Sequence, residues 1–425
     1  MARRTLSAIE HQTLAVGMGE AGLSVQEAER LVVLASQRPG FCVRGHRSVR
    51  LAQFVGLVNL GGGRMLEVLP KVGENADTAR ARGTLLRLLR WAHDLPIFAH
   101  GDVEHGLRQR DLLDVFVLAY LRALVALVRA GMVRRYRSEE DDLGVVRGRL
   151  LLQRQIATHA MRIDRVACRF DDLTVDNPWN QVLKAALIAV GPWAKGLATK
   201  RLWLEMTAAF DEVSPCPNAL ALHASLVVDR QVNHYTAALR WAGWILRLLS
   251  PDLRVGTNNA PELLFDMNKL FELAVAAVWR RRASKAGLQL NAQHTGRHLA
   301  HLEGDSSRQF FRLRPDLVLS EGASVLAVAD TKWSRLAIDK AGRLIPSDGH
   351  AYQLNAYAGA YPCEEAVLVY PWHDGLGGAH PTRYRLPESG ARNPVLHVVC
   401  VNVEDEGLPL WPVAEGAHFG RLMGQ

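Results

Sequence analysis

A strand–turn–strand pattern occupies residues 312–333, which read RLRPDLVLSEGASVLAVADTKW. Apolar runs on both sides of the polar turn at 320–323 predict two paired strands. Asp316 opens the first strand, and Asp330 directly follows the apolar run of the second strand. We therefore expect both acids near one end of the hairpin, although an ideal two-residue turn would leave a stagger of a few residues between them.

The second strand continues past Asp330 into Thr331 and Lys332. Because side chains alternate along a strand, Asp330 and Lys332 project from the same face. Two converging carboxylates repel each other unless a cation lies between them, and Mg²⁺ needs little beyond Asp316, Asp330 and the Thr331 carbonyl. Lys332 would orient an attacking water and stabilise the charge that builds on a phosphate. Only eight of the 51 basic residues are lysine, which makes this position informative.

The arrangement P-D…D-x-K, with the two acids 14 positions apart, resembles the motif of the PD-(D/E)xK nucleases. An isolated match would fit an ordinary hairpin with surface charges equally well. Here, however, a helix predicted over residues 261–286 carries Glu272, and a helix predicted over residues 351–360 carries Gln353. The resemblance implies that Glu272 and Gln353 support the site, and that this part of the chain forms an α/β core with a mixed sheet.

Further segments resemble the McrC family, and together they run across most of the chain. They are GLV at 56–58, LEVLPK at 66–71, DNPWN at 176–180, LFDMNKLFE at 264–272 and YQLNAY at 352–357. Each segment is short, but the combination with the hairpin is specific.

The McrC resemblance implies a Mg²⁺-dependent endonuclease subunit of a 5-methylcytosine-specific restriction system. Such a chain docks on a GTP-hydrolysing AAA+ ring, McrB, stimulates its GTPase, and cleaves double-stranded DNA that carries modified cytosine. GTP is expected on the partner, which fits the absence of a GxxxxGK[ST] motif from this sequence. Two alternatives stay open: a non-cleaving scaffold of the same fold that activates the GTPase, and a stand-alone PD-(D/E)xK nuclease of DNA repair or transposition.

The whole chain is predicted to be an α+β multidomain protein. Residues 1–105 form a β-rich partner-docking module with a hairpin around the glycine turn at 61–63. Residues 106–255 form a predominantly helical middle region, and residues 256–425 form the nuclease domain.

The chain has 425 residues and a formal net charge of +8. Residues 1–200 hold 29 basic and 20 acidic residues, against 22 and 23 in residues 201–425. The surplus therefore lies in the N-terminal half, where partner docking and DNA-backbone contact are both plausible uses. The sequence has no apolar run of the ~20 residues that a membrane span needs. It shows neither a secretory signal nor a CxxC pair, and we expect a cytoplasmic protein with reduced thiols.

Three further features are weaker candidates for a functional role. His294, His298 and His301 have a spacing that a metal site could use, but a polar strand or loop explains them better. Lys71 follows Pro70 and is either a partner contact or a solvated strand end. The basic cluster at 134–137 precedes four acids, which favours a self-paired surface over phosphate binding.

Overall fold

The computed structural model describes residues 4–17, 22–72, 77–95, 110–159, 161–162, 164–249, 262–380, 382–387, 394–405 and 410–411. The chain forms two compact units, one comprising Met1–Asp111 with Leu264–Gln425 and the other comprising Leu112–Leu263. The sequence predicted three consecutive segments, whereas the N-terminal and C-terminal segments belong to one unit. The predicted boundary between residues 255 and 256 lies outside the described residues.

The N-terminal segment is rich in short strands, as predicted. Its elements are β1 Arg4–Ile9, β2 Thr13–Ala15, α1 Val25–Gln37, β3 Cys42–Arg44, β4 Ser48–Leu51, β5 Phe54–Gly61, β6 Arg64–Leu69 and α2 Thr78–His93. The predicted hairpin is confirmed, because β5 and β6 pair in antiparallel register. Gly61, Gly62 and Gly63 all have positive φ in its turn, a conformation that glycine adopts without steric cost.

The second unit is mainly helical, as predicted for the middle region of the chain. Its elements are α3 Leu112–Ala130, β7 Arg135–Leu143, β8 Arg149–Leu150, α4 Leu152–His159, β9 Val166–Thr174, α5 Pro178–Val190, α6 Leu197–Ala209, α7 Ala219–Ser225 and α8 Thr236–Leu249. The three-stranded sheet β7-β9-β8 was not predicted. Six of the nine residues of its first strand are charged, so this strand lacks the apolar alternation by which strands are recognised. The expected self-paired surface is confirmed where Arg137 contacts Glu139 and Arg169 contacts Glu140.

The DNPWN segment fixes the start of α5. Asn177 is its N-cap and accepts a hydrogen bond from the Asn180 N–H, and Pro178 occupies the first turn, where its missing N–H has no cost. The buried Asn180 donates to Val175 O at 2.8 Å and accepts from the Tyr235 hydroxyl at 2.9 Å. This motif therefore has a structural role in the second unit.

Asp176 is the charged member of the same segment, and we predict that it stabilises the second unit. It is buried, and its carboxylate accepts hydrogen bonds from the Ser214 N–H and hydroxyl, Gln181 Nε2 and Arg137 Nη1 at 2.6–2.9 Å. Burial alone would raise the pKa of Asp176, but these hydrogen bonds outweigh it and lower the pKa to about 2. Because the folded-state pKa lies below the unfolded one, this stabilisation is present above pH 4 and is lost as the pH falls towards 2.

Asp176→Asn should therefore lower the free energy of unfolding by about 2 kcal/mol at pH 7, measured by urea denaturation. Asp172→Asn is the matched control, because this more exposed acid of the same sheet pairs only at the surface with Arg147. We expect the control to cost less than about 0.5 kcal/mol. Equal effects of the two substitutions would contradict the prediction.

The C-terminal segment supplies the larger sheet. Its elements are β10 Glu262–Asp266, α9 Met267–Lys285, β11 Gln289–Ala292, β12 Arg297–Leu302, β13 Asp305–Leu313, β14 Leu317–Glu321, β15 Ser324–Thr331, β16 Ala337–Ile338, β17 Leu344–Ile345, α10 Asp348–Ala360, β18 Glu365–Pro371, β19 Thr382–Arg385, β20 Val395–Val401 and β21 Leu410–Trp411. The helix predicted from residue 261 begins instead at Met267. Residues 262–266 form a strand beside β5, and Asp266 caps the helix by accepting the Asn268 N–H.

The strand order of this sheet is β11-β14-β15-β18-β20-β19, with β21 also paired to β20. Strands β15, β18 and β20 are mutually parallel, and the other pairings are antiparallel, so the predicted mixed sheet is confirmed. Helix α10 packs on β15 and β18 over a core that includes Val328, Leu354, Leu368 and Val398. Three parallel strands therefore end at one edge of the sheet, next to the hairpin that carries the predicted site.

The N-terminal segment joins this unit through backbone and side-chain contacts. Gln53 O accepts the Met267 N–H at 3.0 Å, Gln53 Nε2 donates to Asp266 at 3.2 Å, and α2 packs against α9. Among the described residues, no helix combines the length and apolar character required to cross a membrane.

Candidate active site

Strands β14 and β15 bring the two predicted acids together at the open end of their hairpin. Their register pairs Leu317 with Ala329, which sets the preceding Asp316 opposite Asp330. The register shifts by one residue at a β-bulge after Leu319. The stagger of a few residues that we expected is therefore wrong. The pairing of Glu321 with Ser324 at the turn leaves an offset of only one residue, and the extra residue of the bulge removes it.

Thr331 holds the Asp316 carboxylate in place. Its backbone N–H and its hydroxyl both donate to Asp316 Oδ2, each at 2.7 Å. The sequence suggested a role for the Thr331 carbonyl alone, so the hydroxyl contact is new information. The two bonds tie Asp316 to the strand that carries Asp330 and limit how far the carboxylates can move apart.

Asp330 and Lys332 form the centre of the site. Asp330 is 2% exposed, and Lys332 Nζ lies 2.5 Å from its Oδ2. Burial and the nearby Asp316 carboxylate together raise the pKa of Asp330 to about 6, even though Lys332 opposes the increase. The carboxylate is thus held in an unfavourable environment that a bound cation would relieve.

A chain of hydrogen bonds positions Lys332 from the side of α10. Lys332 Nζ donates to Gln353 Oε1 at 2.9 Å, and Gln353 Nε2 donates to the Tyr357 hydroxyl at 2.7 Å. Tyr357 in turn donates to Arg314 O at 3.0 Å, two residues before Asp316. The structure therefore places Gln353 beside Lys332 and connects it to the start of the hairpin.

Glu272 reaches the site through a residue that the sequence analysis missed. Its Oε1 accepts from Gln293 Nε2 at 2.7 Å, and the Gln293 N–H donates to Asp316 O at 2.8 Å. Burial raises the pKa of Glu272, and the Asp316 carboxylate adds to the increase. Gln293 thus links the predicted acid on α9 to the hairpin, and all five predicted side chains lie in one connected region.

The sequence analysis assigned no site role to Tyr357 or Gln293, and only the first of these could have been predicted from the sequence. Tyr357 is four positions after Gln353 on one helix, so both lie on the same face and the spacing could have indicated it. Gln293 follows β11 with a φ of +51°, a conformation that is uncommon outside glycine and that no local pattern predicts.

The donor set fits a hard divalent cation. Asp316 and Asp330 supply carboxylate oxygens, and a cation would offset the cost of an ionised Asp330, whose pKa is raised by burial and by the nearby Asp316 carboxylate. In the part of the chain that the structure describes, no group of three or more His, Cys, Asp or Glu side chains is arranged to hold a metal ion. A cation here would therefore depend on the two aspartates, the Thr331 carbonyl and water, which is the arrangement that Mg²⁺ tolerates.

One of the three histidines contacts a tyrosine, and the other two lie on a strand, as the polar strand or loop of the sequence analysis predicts. His294 Nδ1 lies 2.8 Å from the Tyr361 hydroxyl, and His298 and His301 lie on β12. His350, at the start of α10, bonds the Tyr370 hydroxyl at 2.8 Å, and burial together with Lys332 lowers its pKa.

The position of Tyr357 leads to a prediction about the DNA cleavage that the sequence leads us to expect. Tyr357→Phe removes the hydroxyl between Gln353 and Arg314 O while keeping the ring in the core. We expect cleavage to fall roughly tenfold, because Lys332 loses support from the groups behind its ligand. Tyr384→Phe is the matched control, since its hydroxyl also bonds a carbonyl, Leu344 O, beside the same core. A loss of cleavage shared by both variants would contradict the prediction.

Comparisons with known proteins place this geometry in context. The model of a family described as "McrBC 5-methylcytosine restriction system component" matches residues 49–371. A chain in the refined half-complex from the tetradecameric assembly of Thermococcus gammatolerans McrB AAA+ hexamers with bound McrC is similar in fold, with a TM-score of 0.69, 18% identity and 98% of each chain covered. A chain in the cryo-EM structure of the Thermococcus gammatolerans McrBC complex has a TM-score of 0.50 and 20% identity, covering 65% of this chain and 88% of that one. No curated protein matches this sequence.

Proposed function

Since this chain belongs to the family of McrBC 5-methylcytosine restriction system components, we propose that it is the Mg²⁺-dependent DNA-cleaving subunit of such a system. The observation that carries the proposal is the convergence of Asp316, Asp330 and Lys332 at one end of the β14–β15 hairpin. Two carboxylates can hold a metal ion that activates water, and a lysine in contact with them can stabilise the charge that develops on a phosphodiester. The order of helix, hairpin, helix and strand around them supports a PD-(D/E)xK core.

Each residue has a distinct role in this proposal. Asp316, Asp330 and the Thr331 carbonyl would hold Mg²⁺, and the bound ion would supply activation of water and offset charge on the phosphate. Lys332 orients the attacking water and donates to the phosphate oxygen on which negative charge develops. Gln353 holds the Lys332 ammonium, and Glu272 acts through Gln293 on the backbone at Asp316.

We further propose that the chain docks on a McrB-like AAA+ ring and stimulates its GTPase. Support comes from the structural neighbours, which are chains of McrBC complexes that contain McrB AAA+ hexamers. The sequence has no P-loop, so GTP would bind to the partner, and the partner would also read the modified cytosine. The basic surplus of residues 1–200 suits either the partner or the DNA backbone, and we place the system in the cytoplasm.

The direct test combines the purified chain with its McrB-like partner, GTP, Mg²⁺ and DNA that carries 5-methylcytosine. We expect double-strand cleavage that disappears with unmethylated DNA, without GTP and without the partner. GTPase stimulation without cleavage would identify a non-cleaving scaffold instead. Equal cleavage of both DNAs by the chain alone would identify a stand-alone nuclease.

A further inference from the structure

A cavity of about 270 Å³ lies beside the candidate active site, within the first unit. Its walls follow the carboxyl ends of parallel strands: Glu10 follows β1, Lys71 follows β6, Trp333 follows β15, and Trp372 follows β18. Strands β1 and β6 are parallel, as are β15 and β18. The carboxyl ends of parallel strands are where open α/β sheets bind ligands.

Glu10 is the least expected member of the cavity wall. Its side chain is only 1% exposed, and its Oε1 accepts from Trp333 Nε1 and from the Lys71 N–H, each at 2.8 Å. Its Oε2 has no hydrogen-bond partner among the described residues and lies 3.9 Å from His11 Nε2. A buried acceptor without a donor is costly, and Glu10 lines the cavity, so its carboxylate is a polar group that a donor on a ligand would satisfy.

The remaining walls combine aromatic rings with cations. The half-buried indoles of Trp333 and Trp372 both line the cavity, together with Lys71, Arg335 and His373. Indole faces stack on nucleobases, and lysine and arginine bind phosphate. The volume is at the lower end of the roughly 300–1,000 Å³ of small-molecule sites, which suits one nucleotide better than two.

From this arrangement we propose that the cavity binds a single nucleotide, with the base against the tryptophans and the phosphate near Lys71 and Arg335. The exocyclic amino group of the base donates to Glu10 Oε2, which favours cytosine and adenine over thymine. The nucleotide comes either from a DNA strand or from the free pool, since both carry the same chemistry. Trp333 directly follows Lys332, so the bound nucleotide lies next to the proposed cleavage site. Binding of the nucleotide does not require that this site cleaves DNA.

Calorimetric titration of the full chain in EDTA tests the cavity separately from catalysis. We expect saturable binding of dCMP and dAMP, at least about tenfold weaker binding of dTMP, and none of inorganic phosphate at the same concentrations. Failure of every nucleotide to bind would overturn the proposal, and so would phosphate binding as tightly as dCMP. Loss of DNA cleavage has no bearing on these measurements.

Two variants and one control identify the residues. Trp372→Ala should weaken dCMP binding on the order of tenfold, and Glu10→Gln should abolish the preference over dTMP while keeping an acceptor for Trp333. Trp203→Ala is the matched control, because this half-buried tryptophan lines a separate, mainly apolar cavity of about 310 Å³. Equal weakening by Trp372→Ala and Trp203→Ala would overturn the proposal.

A short single-stranded oligonucleotide distinguishes the two sources of the nucleotide. If the oligonucleotide competes with dCMP, and if Trp372→Ala weakens that competition, the cavity binds a base of a DNA strand. Binding of free nucleotides without competition by the oligonucleotide would identify the free pool. Either result supports the cavity as a nucleotide site.

Discussion

Lys332→Met should lower DNA cleavage by about a thousandfold while leaving stimulation of the partner's GTPase unchanged. Methionine keeps the length of the side chain but removes the ammonium that lies 2.5 Å from Asp330 Oδ2 and 2.9 Å from Gln353 Oε1. Loss of one donor that stabilises developing charge costs roughly 10²–10³ in rate, and loss of water orientation adds to that. The measurement is the single-turnover cleavage rate of methylated DNA, with GTP hydrolysis followed in the same reactions.

Lys340→Met is the matched control for this substitution. Lys340 is an exposed lysine eight positions further along the chain, between β16 and β17. The Lys340→Met variant should cleave DNA at the wild-type rate. Wild-type cleavage by Lys332→Met would remove Lys332 from the mechanism. Loss of both activities in Lys332→Met would instead indicate that the substitution disturbs the fold or docking.

The hairpin itself was predictable because its evidence is local. Two apolar runs around a polar turn predict paired strands with Asp316 and Asp330 near one end, and the alternation of side chains places Asp330 and Lys332 on the same face. The sequence did not reveal the β-bulge after Leu319, since a bulge depends on how two strands fit rather than on either strand alone. That single extra residue decides whether Asp316 faces Asp330.

Long-range features were harder to predict for the same physical reason. The sequence pattern predicts the first turns of a helix at Glu262–Asp266, where the structure has a strand. The apolar run of this strand is short, and its partner β5 lies about 200 residues earlier in the chain, so no local pattern indicates the pairing. The contact of Gln293 with Glu272 likewise depends on a left-handed backbone conformation at the end of β11. The acids can be recognised in the sequence from their residue type and position. The residues that orient them can be recognised only once the tertiary structure shows which segments lie together.

The site also conflicts with stability, as functional sites often do. Asp330 is buried, its pKa is raised to about 6, and it lies near a second carboxylate. A protein selected for stability alone would place an apolar or neutral residue there. This conflict makes Asp330 the position at which activity and stability should respond in opposite directions.

Asp330→Asn should abolish DNA cleavage, with a loss of at least about a thousandfold, and should stabilise the metal-free chain. The raised pKa means that the wild-type folded state at pH 7.5 carries an ionised carboxylate at a cost on the order of 2 kcal/mol. Asparagine removes this cost, and Lys332 keeps its hydrogen bond to Gln353 while losing its ion pair. We therefore expect the free energy of unfolding in EDTA to rise by on the order of 1 kcal/mol, measured by urea denaturation.

The pH dependence provides an internal check on this interpretation. Because the folded-state pKa of Asp330 lies above the unfolded one, its protonation stabilises the wild-type metal-free chain as the pH falls from about 7 to about 4, and Asn lacks this increment. Mg²⁺ should raise the melting temperature of the wild type at pH 7.5 but not that of Asp330→Asn, because a ligand stabilises only the state that binds it. Asp172→Asn serves again as control and should keep both responses. If Asp330→Asn retained the Mg²⁺ response, the cation would bind elsewhere, and the paired carboxylates of the hairpin would not be its site.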